Sequence, residues 1–282
     1  MNDIVFLNGE YIAKDNAKIS VLDRGFLFAD GVYEVIPIYN KCPFRLEQHL
    51  ERLDYSLSRL EIKSPYTHNQ WLEIITQVIA KNQGSNLSIY IHVTRGKGSS
   101  RNHVFDDAAA ATVLVMANAL NVAVKSIKTC KATLLEDIRW QFCDIKSIAL
   151  LGNILLRNQA ERDGFDEAIL HRQQMVSEGS TTNVFMVKDG QIFTPIADRF
   201  ILGGITRELI IELANELGLK VHQQACSVEQ LLHADEVWIS SSTREISPVI
   251  QIDDKMIAKG KIGPIAQALH LKFQQFKQTL IA

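Results

Sequence analysis

Long apolar runs are missing from this chain, and so are the short motifs that mark the commonest enzyme classes. The longest apolar stretches are strand-sized and none approaches a membrane span. The opening residues Met1-Asn2-Asp3-Ile4 lack the basic and apolar regions of a signal peptide. Neither sign of charge is in excess: 30 Lys and Arg against 32 Asp and Glu give a formal net charge of -2. That balance offers no electrostatic footprint for nucleic acid or an anionic membrane. The cysteines Cys42, Cys130, Cys143 and Cys226 are far apart, with no CxxC pair and no neighbouring histidine ligands. No disulfide framework or zinc spacing is indicated, and reduced thiols in a cytoplasmic protein are expected. GxGxxG after a strand, GxxxxGK[ST], GxSxG and HExxH are all absent, so the usual nucleotide, serine-hydrolase and metalloprotease routes lose their support. There is no internal repeat and no low-complexity tract.

What is present reads as a globular protein. The 282 residues are 46% hydrophobic and 22% charged, enough for one large domain or two ordinary ones. Ile4 to Ile12 places two apolar runs around Asn8-Gly9, a hairpin signal. Val32 to Tyr39 reads as a strand turning at Asn40-Lys41, and Leu46, Leu50, Leu53, Leu57 and Leu60 form a helical stripe. Trp71 to Ala80 is expected as a helix, and Leu87 to Thr94 and Ala111 to Ala117 as strands. Low periodicity over Ala119 to Ser126 suggests a linker. Beyond it come a strand at Thr129 to Leu134, a helix from Ile148 to Arg162 and a strand at Glu167 to His171. A hairpin (Asn183 to Val187, Gln191 to Thr194), a helix from Thr206 to Leu217, strands at Val237 to Ser240 and Val249 to Ile252, and a helix from Pro264 to Leu280 close the chain. Without a strict βαβ rhythm, two α/β or α+β units are expected. Their bounds are 1–118 and 128–282, with 119–127 between them and Lys146 in the second.

Five segments have a composition suited to chemistry, each with an ordinary alternative. Lys146, in Asp144-Ile145-Lys146-Ser147-Ile148, borders an apolar stretch where desolvation would make its amine nucleophilic. It could equally be a surface lysine, and Lys131 is as good a candidate on composition. Val176 to Asn183 is a polar run between strands: a solvent loop, or the carrier of a working carboxylate at Glu178. Gly203-Gly204-Ile205-Thr206-Arg207 opens a helix whose free amides would attract an anion, although Thr206 could be a plain cap. Ser240-Ser241-Ser242-Thr243 offers hydroxyls after a strand, or is a turn. Arg95 to His103 is a basic, glycine-containing loop able to hold a carboxylate, or else a solvated loop or a weak phosphate site for nucleic acid, the last disfavoured by the near-neutral total charge.

Taken in order, these segments resemble the fold-type IV pyridoxal-phosphate enzymes. The most specific pieces are Asp30-Gly31-Val32-Tyr33-Glu34, His49-Leu50-Glu51-Arg52-Leu53, the Lys146 segment, Glu178-Gly179-Ser180 with Asn183, and Gly204-Ile205-Thr206-Arg207. Glu136-Asp137-Ile138-Arg139-Trp140, Cys143-Asp144-Ile145-Lys146-Ser147 and Arg101-Asn102-His103 are similar to the D-amino acid aminotransferase branch. The resemblance implies a two-domain fold and pyridoxal 5'-phosphate joined to Lys146, with Glu178 facing its ring nitrogen. It also implies a phosphate cup of Arg52, Ile205, Thr206, Ser241 and Ser242. Tyr33, Arg101 and His103 would hold the substrate carboxylate, the last two reaching the partner's site in a homodimer. Small amino acids and 2-oxo acids are the implied substrates. The loop before His103 is one residue longer than the family's usual form, and Ser242 replaces a common threonine. Branched-chain L-amino acid transamination, the related lyase reaction, and a non-catalytic binding protein of the same fold are the alternatives.

Overall fold

The computed structural model describes residues 3–106, 109–120 and 126–280, which fall into two compact units. One holds residues 3–106 and 109–120 together with Ile145–Ala149; the other holds residues 126–144 and 150–280. Of the expected linker at 119–127, residues 121–125 lie outside the described residues.

The first unit begins with β1 (Ile4–Leu7) and β2 (Glu10–Ala13), then α1 (Arg24–Phe28), β3 (Gly31–Tyr39) and β4 (Cys42–Pro43). It continues through α2 (Leu46–Arg59), α3 (His68–Lys81), β5 (Leu87–Thr94) and β6 (Thr112–Ala119). The strands form one antiparallel sheet in the order β2-β1-β6-β5-β3-β4. Asn8 and Gly9 take positive φ angles of 51° and 100°, as the tight turn of the opening hairpin requires. Strand alternation divides the sheet's two faces. Leu87, Ile89, Ile91 and Val93 of β5 and Val32, Glu34 and Ile36 of β3 are buried, while Tyr33, Tyr90 and His92 lie on the other face. Leu50, Leu53 and Leu57 of α2 and Trp71, Ile75 and Val78 of α3 complete the core. A capping box between Thr67 and Gln70 starts α3 before the expected Trp71. Helix α1, which no apolar stripe announced, is capped by Asp23 accepting from the Gly25 amide at 2.8 Å.

Ile145–Ala149 departs from the sequence reading, which put it in the C-terminal domain and started a helix at Ile148. It joins the first unit by pairing beside β3: Val32 bridges Ser147, the Tyr33 amide donates to Lys146 O and the Ile148 amide donates to Gly31 O, both at 3.0 Å. With those backbone groups committed to β3, the helix opens only at Leu151.

The second unit comprises β7 (Cys130–Glu136), α4 (Leu151–Arg162), β8 (Glu167–Arg172), β9 (Met175–Gly179), β10 (Asn183–Lys188) and β11 (Gln191–Thr194). Then follow α5 (Ile205–Glu216), β12 (Val221–Gln223), α6 (Val228–Leu232), β13 (Glu236–Ser241), β14 (Glu245–Ile252), β15 (Lys255–Met256) and α7 (Pro264–Thr279). The mixed sheet runs β12-β11-β10-β13-β14-β7-β8-β9, with β15 beside β14. Part of the polar run expected as a loop is strand β9, with Ser177, Glu178 and Gly179 buried. The turn after it tolerates burial because Glu167 accepts from the hydroxyls of Ser180, Thr181 and Thr182.

Glu236 secures α7 from outside the helix. Its two carboxylate oxygens accept from the Ile265 and Ala266 amides at 2.9 Å each, where proline at the first helical position provides no donor. A β-carbon at Gly263 would lie 1.9 Å from Glu236 Cδ, so the carboxylate fits only against glycine. Gly263→Ala should therefore lower stability by about 1–2 kcal/mol, the usual cost of a lost cap. Urea unfolding should show a lower midpoint with an unchanged slope; an unchanged midpoint would refute this account of the cap.

Candidate active site

In the first unit the site is built around the segment that carries Lys146. Ile145, in the core, and the Lys146 amide, donating to Ser56 Oγ at 3.1 Å, fix the backbone against α2. The side chain is half-buried, and its Nζ lies 4.2 Å from the centroid of the Tyr33 ring. Among the described residues of that unit, no carboxylate pairs with this amine. Tyr33 leans on Tyr90 at 5.8 Å between centroids, and the Tyr90 hydroxyl meets His92 Nδ1 at 2.8 Å.

On the helix-facing side of β3, Glu34 is fully buried and receives two residues of α2. Arg52 donates from Nε to Oε1 at 2.7 Å and from Nη2 to Oε2 at 2.8 Å, while His49 Nδ1 reaches Oε2 at 2.7 Å. Burial alone would raise the Glu34 pKa, but the charge and hydrogen bonds of Arg52, with His49, pull it far below the usual carboxylate range. Burial lowers the His49 pKa, and the nearby charges of Arg52 and Lys146 add to this against the pull of Glu34. His49 is thus neutral, with Nδ1–H donating to Glu34 and Nε2 unpartnered among the described residues. Arg52 lies off the leucine stripe, as the sequence suggested, yet it faces a buried acid.

The loop carrying Arg101 and His103 is held by a second acid. Asp30 accepts from Arg24 Nε at 2.8 Å and from Arg95 Nε at 2.8 Å. Arg24 then donates to the carbonyls of Asn102 (2.6 Å) and His103 (3.0 Å). Both side chains at the loop's tip are exposed and pack on Phe28: the Arg101 guanidinium lies 5.2 Å from its ring centroid, and the His103 ring 5.2 Å away.

In the second unit, Glu178 at the end of β9 is buried. Oε1 accepts from Arg139 Nη1 at 2.6 Å; Oε2 accepts from the Leu202 amide at 3.1 Å and from Asn183 Nδ2 at 3.4 Å. Burial pushes its pKa up, while Arg139 and the Leu202 amide oppose that rise. Asn183 is register partner to Ser240, so the end of β13, with Ser241, lies beside the start of β10. Ser241 Oγ accepts from the Arg244 amide at 3.2 Å, which leaves its own hydrogen for another acceptor; Ser242 is half-buried in the turn. Helix α5 starts at Ile205 with Gly204 as its cap, so no capping side chain meets its first amides. A β-carbon at Gly204 would lie 2.0 Å from Asn183 Oδ1, so this close approach needs glycine.

Lys146, Tyr33, Arg52, Arg101 and His103 thus belong to the first unit, and Glu178, Ile205, Thr206, Ser241 and Ser242 to the second. Lys131, the other lysine candidate, lies exposed on β7. The sequence reading assigned no role to Glu34, His49, Ser56, Asp137 or Arg139. A usable signal existed for Glu34: an acid between Val32 and Ile36 falls on the apolar face of its strand. The donor set suits pyridoxal phosphate. An amine with no carboxylate paired to it among the described residues of its unit, a buried carboxylate that Arg139 faces on one side, and a helix start with glycine at its cap match an aldehyde, a ring N–H and a phosphate respectively.

Residues 31–252 match the family described as Amino-transferase class IV. The D-alanine aminotransferase of Listeria innocua serovar 6a is 40% identical over 272 residues, covering 95% of this chain and 94% of the relative. That of Staphylococcus haemolyticus is 36% identical over 277 residues, covering 98% of each. The solved Escherichia coli branched-chain amino acid aminotransferase superposes with a TM-score of 0.91 at 28% identity, covering 98% of this chain and 94% of that one. A branched-chain amino acid aminotransferase from T.th., complexed with N-(5'-phosphopyridoxyl)-L-glutamate, gives 0.90 at 27% identity, covering 99% and 95%.

The His49 environment has a consequence for stability. Its pKa in the folded protein is below the ordinary 6.5, so as pH falls through that value the unfolded chain takes up a proton that the folded chain refuses. This contribution is present above pH 6.5 and is lost as pH falls. His49→Asn, which keeps a donor for Glu34, should flatten the fall in unfolding free energy as pH drops below 6.5, by up to about 1.4 kcal/mol per pH unit. Urea titrations at constant ionic strength measure this, and equal slopes in the two proteins would refute it.

Proposed function

The chain belongs to the class IV aminotransferases, and from that premise we propose that it is a pyridoxal-phosphate D-amino acid transaminase. Its reaction would pass the amino group of D-alanine to 2-oxoglutarate, giving pyruvate and D-glutamate. The observation that carries this reading is the Lys146 amine, half-buried over Tyr33, with no carboxylate paired to it among the described residues of its unit. When bound, pyridoxal phosphate supplies an aldehyde for that amine and a ring that takes up electron density as the substrate Cα–H bond breaks.

The residues then have separate tasks. Lys146 Nζ takes the Cα proton and later returns it. Glu178 would accept a hydrogen bond from the ring nitrogen, and its carboxylate would favour a proton there. Arg52, locked by Glu34, would be a phosphate ligand from the first unit; the first amides of α5 at Ile205 and Thr206 and the hydroxyls of Ser241 and Ser242 would be those of the second. Tyr33, Arg101 and His103 bind the substrate carboxylate, and fixing it on one side lets only one Cα–H face the lysine. Arg101 and His103 would do this in the partner's site of a homodimer, consistent with their exposure. A cytoplasmic location accords with four free cysteines, three of them buried, with the thiol pKa values of Cys130, Cys143 and Cys226 pushed up to about 11 by burial.

The solved branched-chain enzymes make L-leucine the informative rival substrate. Parallel assays with 2-oxoglutarate should show turnover of D-alanine; turnover confined to L-leucine refutes the D-specific reading. Lys146→Ala should cut kcat by about 100-fold or more, and normal turnover in that variant would refute its assigned role. Arg101→Ala should raise KM for D-alanine by about 10- to 100-fold, the loss of a charged hydrogen bond, with a smaller change in kcat. An unchanged KM would remove Arg101 from the carboxylate site.

A further inference from the structure

Arg139 is neither a cofactor ligand nor a substrate ligand in the assignments above, yet its side chain is only 5% exposed and is fully engaged. Nε and Nη2 each reach an Asp137 oxygen at 2.9 Å, and Nη1 reaches Glu178 Oε1 at 2.6 Å. Asp137 is itself fixed by Arg172 Nε at 3.1 Å and by the Ser177 hydroxyl at 3.1 Å. One edge of the guanidinium is therefore clamped, and the other presents a donor to Glu178 in a single orientation. The remaining Glu178 oxygen faces the Leu202 amide and Asn183.

We propose that Arg139 is the positioning residue that keeps Glu178 ionised and aimed, and so sets whether a ring nitrogen bound there retains its proton. This rests on the role given to Glu178 above. The physical reason is desolvation: a carboxyl this buried takes up a proton unless a cation faces it. Its charged and titratable neighbours are Arg139, Asp137, Cys143 and, from α5, Arg207. Asp137 opposes ionisation of Glu178, whereas Arg139 makes the close contact that favours it. Without Arg139, a neutral Glu178 would no longer hold a protonated ring nitrogen.

The test compares holoenzymes of wild type, Arg139→Met, Arg139→Lys, Glu178→Gln and the R139M/E178Q pair. It reads the rate of pyridoxal phosphate loss and the pH dependence of the bound cofactor's visible absorption, alongside kcat and KM. R139M should release the cofactor about 10- to 100-fold faster, as loss of a supporting partner does. It should also shift the absorption titration and lower kcat more than it raises KM, and R139K should recover most of these changes. Because the neutral amide introduced by E178Q needs no counter-ion, R139M/E178Q should be no worse than E178Q alone. Multiplying effects in the double variant, or an R139M holoenzyme with wild-type release and titration, would overturn the proposal. An E178Q enzyme indistinguishable from wild type would instead overturn the role of Glu178, so the two failures are separable. Should R139M not fold, D137N/R139M removes the stranded charge and carries the same measurements.

Discussion

A carboxylate taken out of water must be met by a cation, and the bond between Glu34 and Arg52 is where the first unit meets that condition. An unpaired charge at Glu34 would cost several kcal/mol. Two hydrogen bonds from one guanidinium, and a third from His49, make it tolerable. The geometry of the candidate site follows from this pairing. Holding Arg52 down onto β3 fixes the guanidinium in one plane. The next turn of the same helix supplies Ser56, which holds the Lys146 amide. Tyr33, one residue before Glu34, points to the opposite face of the sheet. Lys146 meets that ring, and its carbonyl accepts from the Tyr33 amide.

The second unit applies the same physics with a different balance. Glu178 has one guanidinium contact where Glu34 has two, and Arg139 divides its donors between Glu178 and Asp137. Glu34 is driven firmly to the ionised form, while burial pushes Glu178 the other way. A further cationic N–H donor would offset that burial and favour the ionised form, which is what a protonated ring nitrogen would bring. A structural acid and a working acid can thus be told apart by how completely the protein itself satisfies them. Glu167, met by three hydroxyls, serves a third end, holding the turn that joins Glu178 to Asn183.

Much of the fold was legible because its signals are local. The Asn8-Gly9 hairpin, the leucine stripe of α2 and the proline-led start of α7 each depend on residues a few positions apart. Errors arose where a distant partner overrode the local pattern. Ile148 to Leu150 looks like a helix start until the first residues of β3 claim the backbone at Ser147 and Ile148. Ser177-Glu178-Gly179 looks like solvent loop until neighbouring strands bury it. Of the site, the candidate residues stood out by composition and family resemblance, but the residues that hold them did not. Arg139 and Asp137 were visible only as part of a similar segment, and Ser56 only as a polar gap in a leucine stripe.

By itself, then, the sequence determined the alternation of strands and helices, two α/β units, and a set of residues suited to an amino-group transfer. It could do so because periodicity, turn chemistry and residue type are properties of short stretches. The tertiary structure alone decided which charges are buried and what answers them. It put Glu34 beneath Arg52, Glu178 against Arg139, and Arg101 with His103 on the ring of Phe28. The cost of burying a charge depends on every group packed around it, and those groups come from positions far apart in the chain.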